Sequence, residues 1–244
     1  MKKKTIPGIY NYCDRWCERC HLTDRCAIYD GSVSTSLHQA NATNQSLPDI
    51  LSVDLSVAKP VPEEIERKHG LSLTLSEVRK AWQIEMAEGG QLRKQHPLST
   101  QSLDYDMRVF RWMASVDLDQ HHMTETDGHL SNTREAPIVI TRYASFIHIK
   151  LCRAISSVTT TDEWAEENGL QKDSDGSAKI ALIAIERSIK AWHILYKAMP
   201  AFEDDVLSFL VSLSQLKKKT LETFPNAMGF VRPGFDHSIR KQDV

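Results

Sequence analysis

Apolar residues return at every third or fourth position through most of the second half of this chain, the period of helices with one face turned inward. Ile140, Tyr143, Ala144, Ile147, Leu151, Ala154 and Ile155 predict a well-buried helix over Ala136–Val158. Ala181, Ile185, Ile189, Trp192 and Tyr196 predict a second over Ser177–Met199, ended by Pro200. Val206, Leu210, Leu213, Leu216 and Leu221 point inward from a third over residues 202–223, with Pro225 beyond it. An earlier helix is predicted over Ser102–Asp117 from Leu103, Met107, Phe110, Met113 and Ala114.

Shorter helices are expected over Pro62–His69, from Thr74 or Ser76 to Glu88, and over Asp162–Glu167, the last capped by Thr161 or Asp162. Asp119–Glu135 and Asp173–Gly176 are polar and contain glycine, and read as loops. No segment shows strand alternation. The fold class is therefore all-α: a helical bundle of four to five long helices with an N-terminal four-cysteine metal-binding loop. The organisation read from composition is a cysteine-rich module over 1–30, a polar linker or draped loop over 31–60, the bundle over 61–225, and an irregular tail over 226–244.

The stretch YCDRWCERCHLTDRCAIY changes the picture. Cys13, Cys17, Cys20 and Cys26 follow C-x3-C-x2-C-x5-C, while a single further cysteine, Cys152, serves the rest of the chain. Thiolates at such short spacings converge on one centre, and the two common occupants are an iron–sulfur cluster and a tetrahedral zinc. His21 follows Cys20 directly and offers a Cys3His zinc alternative. Cys152 lies on the apolar stripe of its helix and reads as a small core residue.

The run CERCHLTDRC resembles the [4Fe-4S] loop of endonuclease III-type DNA glycosylases, and shares C-x2-C-x5-C with WhiB-like iron–sulfur regulators. The resemblance implies Cys17, Cys20 and Cys26 as cluster ligands, with Cys13 as the fourth at a shorter spacing than the glycosylases use. It covers about twenty residues. No helix-hairpin-helix turn and no tryptophan-glycine-glycine turn accompanies it, so it implies a ligand set and not a repair or transcription activity. The C-x3-C-x2-C spacing also resembles that of radical S-adenosylmethionine enzymes, but the strand–helix repeat of their barrel is missing downstream. The opening IPGIYNYCDRWCERC resembles that of a group of bacterial proteins and implies no activity.

Charge and composition narrow the classes. Among 244 residues, 41% are hydrophobic and 25% charged, as in an ordinary globular protein. A formal charge of −2 gives no overall pull toward nucleic acid or an anionic membrane. Lys2, Lys3 and Lys4 are followed by Ile6-Pro7-Gly8 and not by an apolar run, and no window has the length of a membrane span. A cytoplasmic location is the expectation, with cysteines held as metal ligands rather than disulfides.

Two further constellations stand out. Arg142-x5-His148 and Arg187-x5-His193 repeat one spacing on the two most apolar helices, which resembles the Arg–His signature of HEPN ribonucleases and implies a nucleic-acid enzyme as one alternative. His121, His122, Asp127 and His129 cluster in the polar loop with a donor mix suited to zinc. Trp82, Trp112, Trp164 and Trp192 read as packing anchors. The expected function is metal binding through Cys13, Cys17, Cys20 and Cys26, with a [4Fe-4S] cluster in a structural or redox-sensing role. The alternative is structural zinc on a bundle that binds a protein partner.

Overall fold

The computed structural model describes residues 4–29, 90, 91, 93–116 and 130–236. The expected polar linker, the helices Pro62–His69 and Thr74–Glu88, Trp82, and the His121, His122, Asp127 and His129 cluster lie outside the described residues. Among the described residues no strand occurs, and the architecture is all-α. Among the described residues there are four long helices, α1 (Pro97–Ser115), α2 (Leu130–Thr160), α4 (Asp173–Ala198) and α5 (Glu203–Thr223), with a short α3 (Asp162–Glu167) between α2 and α4. Among the described residues no helix is long and apolar enough to cross a membrane.

Helices α2 and α4 pack along most of their length, α1 lies against α2 and α5, and α5 closes against α4. The stripe read from sequence on α2 is buried, with Ile140, Ile147 and Leu151 solvent-inaccessible, and on α4 Ala181, Ile185 and Trp192 are buried while Ile189 and Tyr196 are only partly so. The α1 stripe is not the buried face. Tyr105, Val109 and Trp112 face the core, whereas Leu103, Met107 and Phe110 are exposed, the last at 69%. Aromatic packing decides the rotation. Trp192 stacks on Phe209 at 4.4 Å, Trp112 meets Trp192 edge-on at 5.2 Å, and Trp192 Nε1 donates to Tyr105 Oη at 3.0 Å.

Three boundaries differ from expectation. α1 begins at Pro97, because His96 accepts a hydrogen bond from Leu98 N at 3.2 Å and Pro97 fits the first turn. α2 begins at Leu130, so residues 130–135 are helix rather than loop, with Pro137 inside. Asp173–Gly176 is the first turn of α4 and not a loop. The buried Asp162 carboxylate accepts from Ser174 N at 3.2 Å there, so a neighbouring helix supplies the cap.

Beyond α5 the chain makes one short turn, Ala227–Gly229, and then lies along α4. Asp236 pairs with Lys179 at 2.7 Å and Arg232 at 2.8 Å, and Val231 N donates to Gln171 Oε1 at 2.6 Å. Phe224, Ala227 and Phe230 are buried.

Candidate metal centre

Residues 4–29 contain no α-helix among their described positions; three short 3-10 turns, Ile9–Asn11, Cys17–Arg19 and Thr23–Arg25, bend the chain back on itself. Ile6 N donates to Arg25 O at 2.9 Å and closes the segment into a loop. The two later turns set the cysteines. Cys20 N donates to Cys17 O at 3.2 Å, and Cys26 N to Thr23 O at 3.2 Å. Between Cys13 and Cys17, Arg15 takes a left-handed conformation at φ 57°, costly for a residue with a side chain. The Asp14 carboxylate accepts from Trp16 N at 3.1 Å and helps hold that bend.

Cys13, Cys17, Cys20 and Cys26 all line one cavity of about 20 Å³, with Tyr10, Trp16 and Phe235 on its walls. All four are free thiols of intermediate exposure. Leu22 N donates to Cys20 Sγ at 3.4 Å. Burial pushes the Cys13 thiol up, and burial followed by the neighbouring thiols Cys13, Cys20 and Cys26 and by Glu18 does the same to Cys17. Among the described residues, no three His, Cys, Asp or Glu side chains are arranged to hold a metal ion as they stand. The thiols are gathered round one space without being drawn together on a single point. As a donor set they suit a soft metal or cluster.

The bundle holds this loop through residues that the cysteine spacing does not reveal. Tyr12 Oη donates to Asp173 Oδ1 at 2.7 Å, and Asp173 also accepts from Arg153 at 2.6 and 3.0 Å and Ser157 at 2.6 Å. Asp14 accepts from Tyr143 Oη at 3.1 Å and pairs with Arg187. Burial opposes ionisation of Asp14, but the hydrogen bonds from Trp16 N and Arg187 outweigh it and lower its pKa. Trp16 meets Tyr143 edge-on at 5.8 Å beneath the guanidinium groups of Arg19 and Arg142. Lys150 is 5% exposed and donates to Asn11 O at 2.8 Å; burial first, then Arg153, brings its pKa down to about 8. The C-terminal tail completes the seat, with Phe230 at 4.6 Å from Tyr12 and Phe235 at 6.3 Å from His21.

Arg142 and Arg187 are therefore engaged with the N-terminal loop, Arg142 donating to Arg15 O and Arg187 holding Asp14 and Tyr143. His148 is engaged elsewhere. Its Nδ1 lies 2.9 Å from Ser102 Oγ on α1, and Cys152 Sγ is 3.6 Å from its Nε2. Ser99 Oγ lies 3.3 Å from the same sulfur. His193 is exposed and lies parallel to Tyr196 at 6.4 Å. His21 faces Phe235 and a larger cavity beside the thiols, lining that cavity and not the one the four cysteines share. The signal for the missed anchors is the aromatic and charged density of IYNYCDRW itself.

Comparison of the chain with protein-family models, curated proteins and solved structures returned no match.

Proposed function

We propose that Cys13, Cys17, Cys20 and Cys26 hold a metal centre, a [4Fe-4S] cluster on the reading of their spacing, and that the centre fixes the N-terminal loop onto the bundle. The observation that carries this reading is that all four thiols of the N-terminal loop line one cavity, walled otherwise by loop residues and by Phe235 of the tail. A bound centre supplies cross-links that a loop without regular structure lacks. The chain's own part is to orient it: Asp14 sets the bend between the first two thiols, Leu22 N supports Cys20, and Tyr12 and Trp16 clamp the flanks.

A single zinc ion is the second reading. The space among the thiols is about 20 Å³, room for about one water molecule, which is nearer to one ion than to a cube of eight atoms. The nuclease alternative gains no support, because Arg142 and Arg187 are occupied by the loop while His148 is turned to Ser102 and Cys152.

Iron, sulfide and zinc analysis with an absorption spectrum, on protein purified without oxygen, tests the proposal. About four irons per chain with a broad band in the thiolate-to-iron region establishes the cluster. One zinc and no iron establishes the second reading. A chain that binds neither metal at stoichiometric level overturns both. Each Cys→Ser substitution at the four positions is expected to lower metal content.

A further inference from the structure

A cavity of about 430 Å³ lies beside the thiols, within the roughly 300–1,000 Å³ range of small-molecule sites. Its floor is the groove between α2 and α4, where Ala136 and Ala191 keep the side chains short and Val139 and Ile194 make the surface apolar. Its other walls are the N-terminal loop and the tail, which contribute Trp16, in edge-on contact with Tyr143, and Phe235. An apolar slot lined by aliphatic and aromatic side chains suits a planar apolar group.

Its polar groups are mostly cationic. Arg19, Arg187, Lys190 and Arg232 line it against the carboxylates of Asp14 and Glu135. Three of these cations are already paired: Arg19 with Glu135 at 3.4 Å, Arg187 with Asp14, and Arg232 with Asp236 at 2.8 Å. Lys190 is not; among the described residues its ammonium makes no hydrogen bond or ion pair, and Glu186 one turn away is taken by Lys217 at 2.5 Å. Arg187 uses Nη1 alone for Asp14 and Tyr143, so its Nε and Nη2 hydrogens keep donor capacity. Arg187, Lys190 and Ile194 recur at helical spacing on one face of α4. Free donors therefore stand next to the apolar slot.

We infer that this cavity binds a small anionic molecule made of a planar ring bearing a carboxylate or phosphate. The acid group rests on Lys190 and the unused donors of Arg187, and the ring lies on the apolar floor of Val139 and Ile194 beside the aromatic wall. Cys20 and His21 share the wall, so a bound molecule touches the loop that carries the four thiols. This site goes beyond the metal reading and does not require it, since every group named is a side chain of the chain.

The test is calorimetric titration of the full-length protein with benzoate, phenyl phosphate and AMP, against inorganic phosphate and benzyl alcohol. At least one ring-bearing acid is expected to saturate, with inorganic phosphate and benzyl alcohol each about tenfold weaker or more, because each lacks one half of the contact. The better of benzoate and phenyl phosphate identifies the acid group. Lys190→Glu, at an exposed position, is expected to weaken binding about tenfold or more through charge reversal. Ile194→Trp, which fills the floor, is expected to abolish it, with circular dichroism and melting showing that both variants fold. Absence of saturable binding by every probe to folded protein, or binding that survives both substitutions, overturns the inference. Metal content is measured separately on the same sample, so the two proposals fail by different readouts.

Discussion

Tyr12 Oη donates to Asp173 Oδ1 at 2.7 Å, joining the residue before the first clustered cysteine to the first turn of α4 across 161 positions of sequence. Asp173 is the hub of that joint. Its carboxylate takes four hydrogen bonds, from Tyr12, Ser157 and twice from Arg153. Its own side chain is 16% exposed and Arg153's is 37%.

Asp173→Ala leaves Arg153 without its carboxylate and Tyr12 and Ser157 without an acceptor. A loss of about 2–4 kcal/mol is expected, since a hydrogen bond to a charged group contributes about 1.5–3 and orphaned partners add desolvation cost. Tyr12→Phe removes one of the four and is expected to cost about 1 kcal/mol. Urea denaturation of both variants checks the order; equal effects would show that Arg153 and Ser157 find other partners.

Acid is expected to loosen the same joint. Burial opposes ionisation of Asp173, but hydrogen bonds from Arg153, Ser157 and Tyr12 outweigh it and lower its pKa. At Asp236 burial is likewise outweighed, there by Arg232 and Lys179. A carboxyl whose folded pKa lies below its unfolded value contributes stability that is present above about pH 4 and lost as pH falls through the folded value. Urea midpoints at about pH 6 and about pH 3 should therefore fall in the wild type, and by less in Asp173→Asn.

Gly176 sits in the first turn of α4 beneath two rings. A Cβ there would lie 2.5 Å from Tyr12 Cε1 and 2.7 Å from Phe230 Cζ. Alanine normally favours a helix over glycine by about 0.5–1 kcal/mol. Here the collision with two rigid rings is expected to reverse the sign, giving a net loss of about 1–3 kcal/mol in thermal or urea unfolding. A stabilised Gly176→Ala protein would mean the rings yield freely.

Cys152 carries a prediction about reactivity. Burial raises its thiol pKa, but the hydrogen bonds with His148 and Ser99 outweigh that and lower it. The hydrogen bond to Cys152 raises His148 in turn. Alkylation of Cys152 by iodoacetamide near neutral pH should be roughly threefold or more faster in the wild type than in His148→Ala. Site-resolved mass spectrometry measures it, and equal rates would remove His148 from the thiol's chemistry.

Helix content was legible because α2 and α4 bury continuous stripes whose period needs no tertiary information. The rotation of α1 was not. Leu103, Met107 and Phe110 look like a core face, yet Tyr105 and Trp112 win it because their rings pack on Trp192 and Phe209 while their polar atoms find Trp192 Nε1 inside the bundle and the exposed Asp205 at its edge. Asp173 and Ser174 looked like loop residues because Asp173 accepts from Tyr12 and Arg153 and Ser174 N donates to Asp162, partners that local pattern does not show. The ligand candidates were plain in their spacing, whereas their seat depends on residues distant in sequence. Cys152 read as inert packing because its contacts with His148 one turn earlier and Ser99 on α1 require the fold.

The tail that closes over the thiols has a consequence for synthesis. Cys13, Cys17, Cys20 and Cys26 leave the ribosome first, whereas Phe230, Phe235 and the Asp236 clasp that complete their seat leave late. Closing so long a loop has an entropic cost that only the finished bundle offsets. Throughout translation the four sulfurs therefore stand outside their final shelter.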